Sequence, residues 1–359
     1  MSTRPRFSIL LPTHNRADVL PFAIQSVFSQ TEQDFELLVV LDGCTDGTAA
    51  LLAELADERV RWFDLPKGPG FGYANRNVAL RQARGAYIAF MAHDDLWFPD
   101  HLRLLADAIE ARDVELAYST PLWVIPRGLV APVTYNLNDR TTCEGFLLHG
   151  QNGIPASCVV HRRECLDKYG YWDETLAGSA DRDMWARIIS ARNEPANFVH
   201  LDTPTTLHFR AAWRTEDTTE RRLRIWKRLH DIPGAMPEAL KIPVSPGESE
   251  QAAVWRAISA APDAWMRGLR EAVIATIDRR VALSDELMLH MLPLDEGHDS
   301  SAVFASALAD PSQLVATLEH HGVLTGLRAF RALRQWKRRI APSGTLRGRA
   351  WGLLRGVRA

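Results

Sequence analysis

The sequence predicts an α/β fold in which helices flank a mostly parallel sheet, followed by a helical extension at the C-terminal end. Over the first hundred residues, short apolar runs typical of strands alternate with stretches of helical spacing. Turn-forming residues separate these segments. Strands separated by helices of this size pair in parallel, and the helices cover both faces of the sheet.

The individual elements follow in the order that a doubly wound sheet needs. Apolar and β-branched runs predict strands at 7–11, 35–41, 60–65, 87–91, 116–124, 156–160 and 198–201. Helical spacing of apolar residues predicts helices at 18–30, 48–55, 74–83, 102–111, 163–169 and 181–192. Residues 125–155 are rich in Gly, Pro and Asn and are expected to form loops over a binding site.

Length and composition indicate a globular protein with more than one part. The 359 residues exceed the usual size of one domain, and 46% hydrophobic with 24% charged residues is ordinary for a soluble protein. Beyond residue 215, helical stretches alternate with proline-bearing breaks. We therefore expect a domain at 1–215, a helical region at 216–325 and a basic tail at 326–359.

The sequence favours a cytoplasmic protein. No apolar run reaches the roughly 18 residues that a membrane-spanning helix needs. The N-terminal MSTRPRFSILLP lacks a long apolar segment followed by a cleavage site. The four cysteines have no metal-ligand spacing and are expected to be reduced thiols.

The net charge of −2 conceals a strongly basic tail. Residues 326–359 contain ten Lys or Arg and no acidic residue, so the remaining body carries about −12. Residues 326–341 place basic side chains on one helical side and apolar ones on the other, as in helices that lie on an anionic membrane surface. Packing against the acidic body is the alternative. Nucleic acid is not expected as a partner, because no recognised binding fold is present.

Three polar clusters follow predicted strands, at 13–16, 42–46 and 93–95. One such cluster alone is commonly a turn or a helix cap. Three at the carboxyl edge of one sheet indicate a ligand site. Asp94 and Asp95 repel each other unless a cation holds them, and carboxylates suit Mg²⁺ or Mn²⁺ bridged to a phosphate. The adjacent histidine, at position 93, is expected to be structural.

The glycine-rich stretch KGPGFGY, residues 67–73, partly matches a dinucleotide-binding turn. The third glycine of that fingerprint falls at Tyr73, and the stretch does not follow the first strand of the sheet. We therefore expect a flexible loop beside a substrate.

Six stretches, in order, resemble a known family. FSILLPTHNR, FELLVVLDGCTDGT, ANRN and YIAFMAHDDLWFPDHL resemble the nucleotide-binding half of a family 2 glycosyltransferase, which has the GT-A fold. NGIPASCVVHRR and GYWDETLAGSADRDMWARI continue the resemblance into the acceptor half. The resemblance covers residues 7–210 and implies transfer of a sugar from a nucleotide-diphosphate donor.

The resemblance implies a site for Mg²⁺ or Mn²⁺. Asp94 matches the aspartate that closes the family's DXD-type motif, which binds the metal bridging the diphosphate. Asp95 matches its frequent acidic neighbour and is the alternative ligand. His208, in LHFR, falls near a histidine that gives a further metal or phosphate contact in some members, and a structural histidine is the alternative.

The resemblance also implies a nucleotide site and a catalytic base. Thr13 and Asp42 lie where members contact the base and ribose, and we place Asn15 with them. Arg76 matches an arginine near the nucleotide. Asp181 matches the aspartate that serves as the catalytic base.

Three positions depart from the family pattern. Ala92 replaces the first DXD aspartate, Leu41 replaces the first aspartate of a common DDGS pattern, and Ala180 replaces the Glu before the base. The nucleotide is therefore left open, with a UDP-sugar favoured. Asp181 is alternatively a helix cap, and Asp183 competes with it as the base.

Aromatic rings can stack on the apolar faces of sugars. The tryptophan candidates for such a platform, each with core packing as the alternative, are Trp97, Trp123, Trp172 and Trp185.

These features predict a metal-dependent, inverting glycosyltransferase, peripheral on the inner face of the membrane, that acts on a glycan or lipid-linked acceptor in cell-surface polysaccharide synthesis. One base opposite the leaving group gives direct displacement with inversion. A nucleotidyltransferase is an alternative, although PTHNR replaces the glycine-rich basic loop of such enzymes. A non-catalytic glycan-binding relative is the other alternative.

Overall fold

Nine strands form one sheet in the described part of the chain. The computed structural model describes residues 4–126, 128–133, 135–192, 196–209 and 237–282. Strands β1 to β9 are Phe7–Thr13, Phe35–Asp42, Val60–Leu65, Tyr87–Phe90, Leu96–Trp97, Leu116–Ile125, Leu129–Pro132, Val159–Arg162 and Phe198–Phe209. Their order is β3–β2–β1–β4–β8–β6–β9–β5, with β7 paired to β6. Only β5, β7 and β8 run antiparallel to their described neighbours, which confirms the predicted mostly parallel sheet.

Helices pack on both faces of this sheet. Helices α1 to α9 are Leu20–Phe28, Thr48–Ala53, Tyr73–Leu80, His101–Arg112, Arg140–His149, Glu164–Tyr169, Ala180–Ser190, Glu250–Ala260 and Pro262–Ala282. Ile9 and Leu11 of β1 belong to a core cluster that includes α1 and α4. Leu10 belongs to a second cluster that includes α3 and α7. Successive side chains of a strand point to opposite faces, so both faces of β1 are buried.

Three stretches differ from the predicted elements. Residues 125–155, expected to be loops, include β7 and α5. The strand expected at 156–160 starts as a 3-10 turn over Ala156–Cys158, and β8 follows it. Strand β9 continues past residue 201, through a sequence that reads as a turn, because it pairs with β6 across an irregularity in register.

The carboxyl ends of β1, β2 and β4 meet at one edge of the sheet. Thr13 of β1 is in parallel register with Leu41 of β2, and Leu10 is in register with Phe90 of β4. The polar clusters predicted from the sequence therefore lie along this edge, where open α/β sheets bind ligands.

A buried carboxylate joins the strands near their opposite ends. Glu36 is 2% exposed and accepts hydrogen bonds from Ser8 Oγ at 2.6 Å and from the Arg84 backbone N at 2.7 Å. The guanidinium groups of Arg84 and Arg61 pair with it at 2.8 and 3.2 Å. Burial alone would raise the pKa of Glu36, but these hydrogen bonds outweigh burial and hold the pKa below its ordinary value.

We expect Glu36→Ala to lower the free energy of unfolding by about 3 kcal/mol at pH 7, because it leaves buried donors unpaired. Urea unfolding followed by tryptophan fluorescence measures this loss. Because the folded-state pKa is lowered, the contribution is complete above the ordinary glutamate pKa of about 4.3 and is lost as the pH falls through the folded value. The difference from the wild type should therefore shrink in acid.

The control for this prediction is Glu144→Ala. It removes an exposed ion pair between Glu144 and Arg140, which contributes less than about 0.5 kcal/mol in typical proteins. Equal losses in the two variants would contradict the role assigned to Glu36.

The last two helices of the described residues, α8 and α9, hold a loop at the carboxyl edge. Residues 4–209 and 237–274, where described, belong to one compact unit. In α8, Gln251 Nε2 donates to the main-chain oxygen of Asp94 at 3.2 Å. In α9, Arg270 donates to both carboxylate oxygens of Asp100 at 2.8 and 2.9 Å, and its guanidinium lies over the Phe98 ring. These contacts fix both ends of the segment 94–100.

The predicted boundary between residues 215 and 216 and the basic tail at 326–359 lie outside the described residues. Helices α8 and α9 lie within the predicted helical region. Among the helices that are described, none combines the length and the apolar character that a bilayer-spanning helix needs.

Candidate active site

A cleft of about 430 Å³ opens at the carboxyl edge of the sheet. The ends of β1 and β4, the glycine-rich loop with α3, the segment 152–156 and the start of α7 line it. Of the residues predicted from the sequence, the cleft brings together Arg76, Asp95, Asp181 and His208.

Asp181 lies in the first turn of α7 and lines the cleft. The N-cap Ser179 has a φ of 59°, a left-handed conformation that costs a non-glycine residue about 1 kcal/mol. The Oδ1 atom of Asp181 accepts a hydrogen bond from the Arg182 backbone N at 2.7 Å. Burial raises the pKa of Asp181 above its ordinary value. A carboxylate of raised basicity in a cleft is suited to accept a proton from a bound hydroxyl.

Asp183, the competing candidate for the base, has a different environment. Its carboxylate pairs with Arg187 Nε at 3.0 Å, one helical turn further along α7. It does not line the cleft. The geometry therefore favours Asp181, and its role as the base stays a prediction.

Arg76 is mostly buried in the wall of the cleft. Its guanidinium carbon lies 5.3 Å from the Tyr73 ring centroid and 5.2 Å from that of Trp172, and Nη1 donates to the main-chain oxygen of Phe71. Its Nε has no hydrogen-bond partner among the described residues. Burial lowers the pKa of Arg76, and the negative charge of Asp181 opposes that shift. A buried guanidinium with an unused donor is suited to an anionic ligand.

Asp95 is fully buried and its carboxylate is occupied by protein donors. Ser157 Oγ donates to it at 2.6 Å and the Phe209 backbone N at 3.0 Å. His208 Nδ1 lies 2.9 Å from both carboxylate oxygens. Because the carboxylate can only accept hydrogen bonds, His208 carries a proton on Nδ1. This arrangement favours Asp95 as the residue that orients His208, and its prediction as a metal ligand remains untested.

Asp94 faces a second cavity, of about 280 Å³, which Arg16 and the start of α8 also line. Arg16 Nη2 lies 3.9 Å from Asp94 Oδ2. Burial and the neighbouring charge of Asp95 raise the pKa of Asp94. Its negative charge is therefore poorly compensated by the protein itself. Across the described residues, no group of three His, Cys, Asp or Glu side chains forms a candidate metal cage.

Asp42, at the end of β2, holds the glycine-rich loop in place. Its carboxylate accepts hydrogen bonds from Gly68 N at 2.7 Å and Asn75 Nδ2 at 2.6 Å, and it pairs with Lys67. Burial alone would raise the pKa of Asp42, but these donors outweigh burial and lower it. At Gly72 the φ is 71°, and an added Cβ would lie 2.3 Å from Asp42 Oδ2. The loop, expected to be flexible, is thus anchored at both ends.

Thr13 and Asn15 lie at the same edge but do not line the cleft. Thr13 is 2% exposed, and its Oγ1 has no hydrogen-bond partner within the described chain. Asn15 Oδ1 accepts from the Thr45 backbone N at 2.7 Å, which joins the loops that follow β1 and β2. The nucleotide-binding roles of Thr13 and Asn15 stay predictions.

The tryptophan candidates separate into two pairs. Trp97 and Trp185 are 1% exposed and belong to the core. Trp123 and Trp172 line the cleft, and the Trp123 ring lies edge-on to that of His208 at 4.5 Å.

Sequence reasoning missed three residues that shape this region. Ser157 holds both Asp95 and the Ala92 backbone N, and Gln251 supports the Asp94 loop. Phe71 lines the cleft while half exposed. The motif NGIPAS signalled the surroundings of Ser157 and the glycine-rich stretch those of Phe71, whereas Gln251 had no local signal.

The mixed α/β fold, with helices on both faces of the sheet and a cleft at its carboxyl edge, matches the GT-A class of glycosyltransferases. The family model described as glycosyl transferase family 2 matches residues 8–170. The chain is 32% identical over 192 residues to WfgD of Escherichia coli, which is named a UDP-Glc:alpha-D-GlcNAc-diphosphoundecaprenol beta-1,3-glucosyltransferase. The aligned residues cover 52% of this chain and 70% of WfgD.

One further relative and one solved structure are also similar to this chain. TuaG of Bacillus subtilis (strain 168), named for teichuronic acid biosynthesis, is 28% identical over 208 residues, 55% of this chain and 72% of that protein. The structure of S. aureus TarS 1-349 in complex with UDP-GlcNAc has a TM-score of 0.47 and 17% identity, and covers 88% of this chain and 91% of that one. The chain belongs to glycosyltransferase family 2 and is a glycosyltransferase.

Proposed function

We propose that this chain is a metal-dependent, inverting glycosyltransferase that moves a sugar from a nucleotide-diphosphate donor to a glycan or lipid-linked acceptor. The observation that carries the proposal is the half-buried carboxylate of Asp181, of raised pKa, in the same cleft as Arg76 and His208. A candidate base, Asp181, therefore lines the same cleft as Arg76 and His208, two side chains that can stabilise negative charge.

The residues account for the transfer step. The acceptor oxygen forms a bond to the anomeric carbon while the bond from that carbon to the diphosphate oxygen breaks. Asp181 takes the acceptor's hydroxyl proton, and the electron pair of the broken bond stays on the diphosphate. Arg76 offers that charge a guanidinium in the wall of the cleft. A single displacement by one base inverts the anomeric centre.

Asp94 and His208 are the side chains that we propose as ligands of Mg²⁺ or Mn²⁺. Asp94 supplies a carboxylate whose charge is poorly compensated, and His208 supplies an imidazole oriented by a carboxylate, as histidine ligands commonly are. Such ions take one or two carboxylates together with substrate phosphates. When bound, the ion would stabilise charge on the departing diphosphate.

The relatives' names support a proposal for the acceptor and the cellular setting. WfgD is named for transfer from a UDP-sugar to a diphosphoundecaprenol-linked sugar, and TuaG for teichuronic acid biosynthesis. We infer a UDP-sugar donor and a role in cell-surface polysaccharide synthesis. The basic tail at 326–359 would hold a cytoplasmic enzyme at the anionic inner face of the membrane, beside such acceptors.

A screen of nucleotide sugars tests the proposal. We expect at least one UDP-sugar to be hydrolysed, with release of UDP, when Mg²⁺ or Mn²⁺ is present and not when EDTA replaces the metal. Inverted stereochemistry of the released sugar, read by NMR, supports direct displacement. Turnover of no donor with either metal would contradict the proposal, and pyrophosphate formation from a nucleoside triphosphate would select a nucleotidyltransferase instead.

A further inference from the structure

Phe71 presents the largest exposed aromatic face of the cleft. The exposed large apolar side chains of the described chain are Trp62, Phe71, Leu148 and Ile274. Within that set only Phe71, which is 50% exposed, lines the cleft. Ligand clefts are lined largely by apolar and aromatic side chains, which the bound ligand covers.

The main chain around Phe71 is held by polar contacts. The Asp42 carboxylate fixes the loop on the N-terminal side through Gly68 and on the C-terminal side through Asn75. Arg76 donates to the carbonyl oxygen of Phe71 itself. The ring therefore stays exposed because its loop is anchored there, and a ligand need not order the loop on binding.

The ring lies against the turn that leads into α7, and Asp181 lines the same cleft. A Cβ built at Gly178 would lie 3.6 Å from Cε2 of Phe71, and Gly178 leads through Ser179 to Asp181. A hydroxyl that reaches Asp181 belongs to a molecule that occupies this side of the cleft. The C–H face of a pyranose ring is apolar and packs well against an aromatic ring.

We propose that Phe71 is a specificity-determining residue. Its ring stacks against the acceptor's pyranose ring and so presents the acceptor's hydroxyl to Asp181. This inference rests on the proposed function. The same apolar face is present on a donor sugar, and the test below separates the two sources.

The experiment compares Phe71→Ala, Phe71→Tyr and the wild type, using the donor found in the screen and a panel of methyl pyranosides as acceptors. We expect Phe71→Ala to raise the acceptor KM about tenfold, the upper range for loss of an aromatic contact, with a donor KM within about twofold. Phe71→Tyr keeps the ring and should restore the acceptor KM. Trp62→Ala is the matched control, because Trp62 is 40% exposed on β3 outside the cleft, and it should change neither KM.

Each result decides between the sources. A rise in the donor KM, with an unchanged acceptor KM, would overturn the acceptor assignment and place the donor sugar on Phe71. Unchanged constants in Phe71→Ala, or equal effects in Trp62→Ala, would overturn the stacking role altogether. If the wild type turns over no donor, the proposed function itself fails before any Phe71 variant is compared.

Discussion

Asp181→Asn is expected to lower kcat for sugar transfer by about 1,000-fold, within the range that a positioned general base contributes. The amide keeps the size of the side chain and can still accept the hydrogen bond from the Arg182 backbone N. It cannot take a proton from the acceptor hydroxyl. The donor KM should change little, because the proton transfer to Asp181 takes place only in the transition state.

Asp183→Asn provides the matched control. Asp183 lies in the same first turn of α7, but its carboxylate pairs with Arg187 and does not line the cleft. We expect kcat to stay within about threefold of the wild type, since a partly exposed ion pair contributes little. A large loss of kcat in Asp183→Asn with little loss in Asp181→Asn would reverse the assignment.

The pH dependence of kcat gives a second measurement. The base acts in its ionised form, so kcat falls as the pH falls through the pKa of Asp181. Burial raises that pKa. The acid limb of the profile should therefore lie above the ordinary aspartate pKa of about 3.9.

Asp94→Asn is expected to lower kcat/KM by about 100-fold and to raise the melting temperature of the metal-free protein by about 2 °C at pH 7. Burial and the adjacent charge of Asp95 disfavour the ionised Asp94 carboxylate, so a neutral amide relieves the repulsion. Activity and stability thus change in opposite directions. This is typical of a site that keeps an energetically unfavourable charge because a ligand needs it.

Thermal unfolding with and without Mn²⁺ measures the second half of this prediction. Metal binding to the native state should raise the melting temperature of the wild type but not of Asp94→Asn. Asp18→Asn is the control, because Asp18 is an exposed carboxylate that lines the same second cavity. An equal metal response in the wild type and Asp94→Asn would contradict a metal role for Asp94.

The sheet and its ligand-binding edge could be predicted because their signals are local. Each apolar run of the first half is closed by its own turn residues, and parallel pairing places 13–16, 42–46 and 93–95 together. The candidate base came from the resemblance of GYWDETLAGSADRDMWARI to the family, and Asp181 lies in the cleft.

Which of Asp94 and Asp95 accepts hydrogen bonds from the protein itself could not be predicted in the same way. The donors that occupy Asp95 come from Ser157, His208 and Phe209, which are distant in sequence. No local pattern states which of two adjacent carboxylates such partners will reach. Nor does the sequence KGPGFGY indicate that its phenylalanine stays exposed, because that follows from the anchoring of the loop by Asp42.

The contacts made by α8 and α9 bear on how this chain can be recombined with its relatives. The family model ends at residue 170, whereas Gln251 and Arg270 grip the segment that carries Asp94. In a chimera, the first 170 residues would come from one parent and the helices that correspond to α8 and α9 from another. The contacts between those helices and the segment 94–100 would then be mismatched. The carboxyl edge of the sheet and helices α8 and α9 should therefore come from the same parent in a functional chimera.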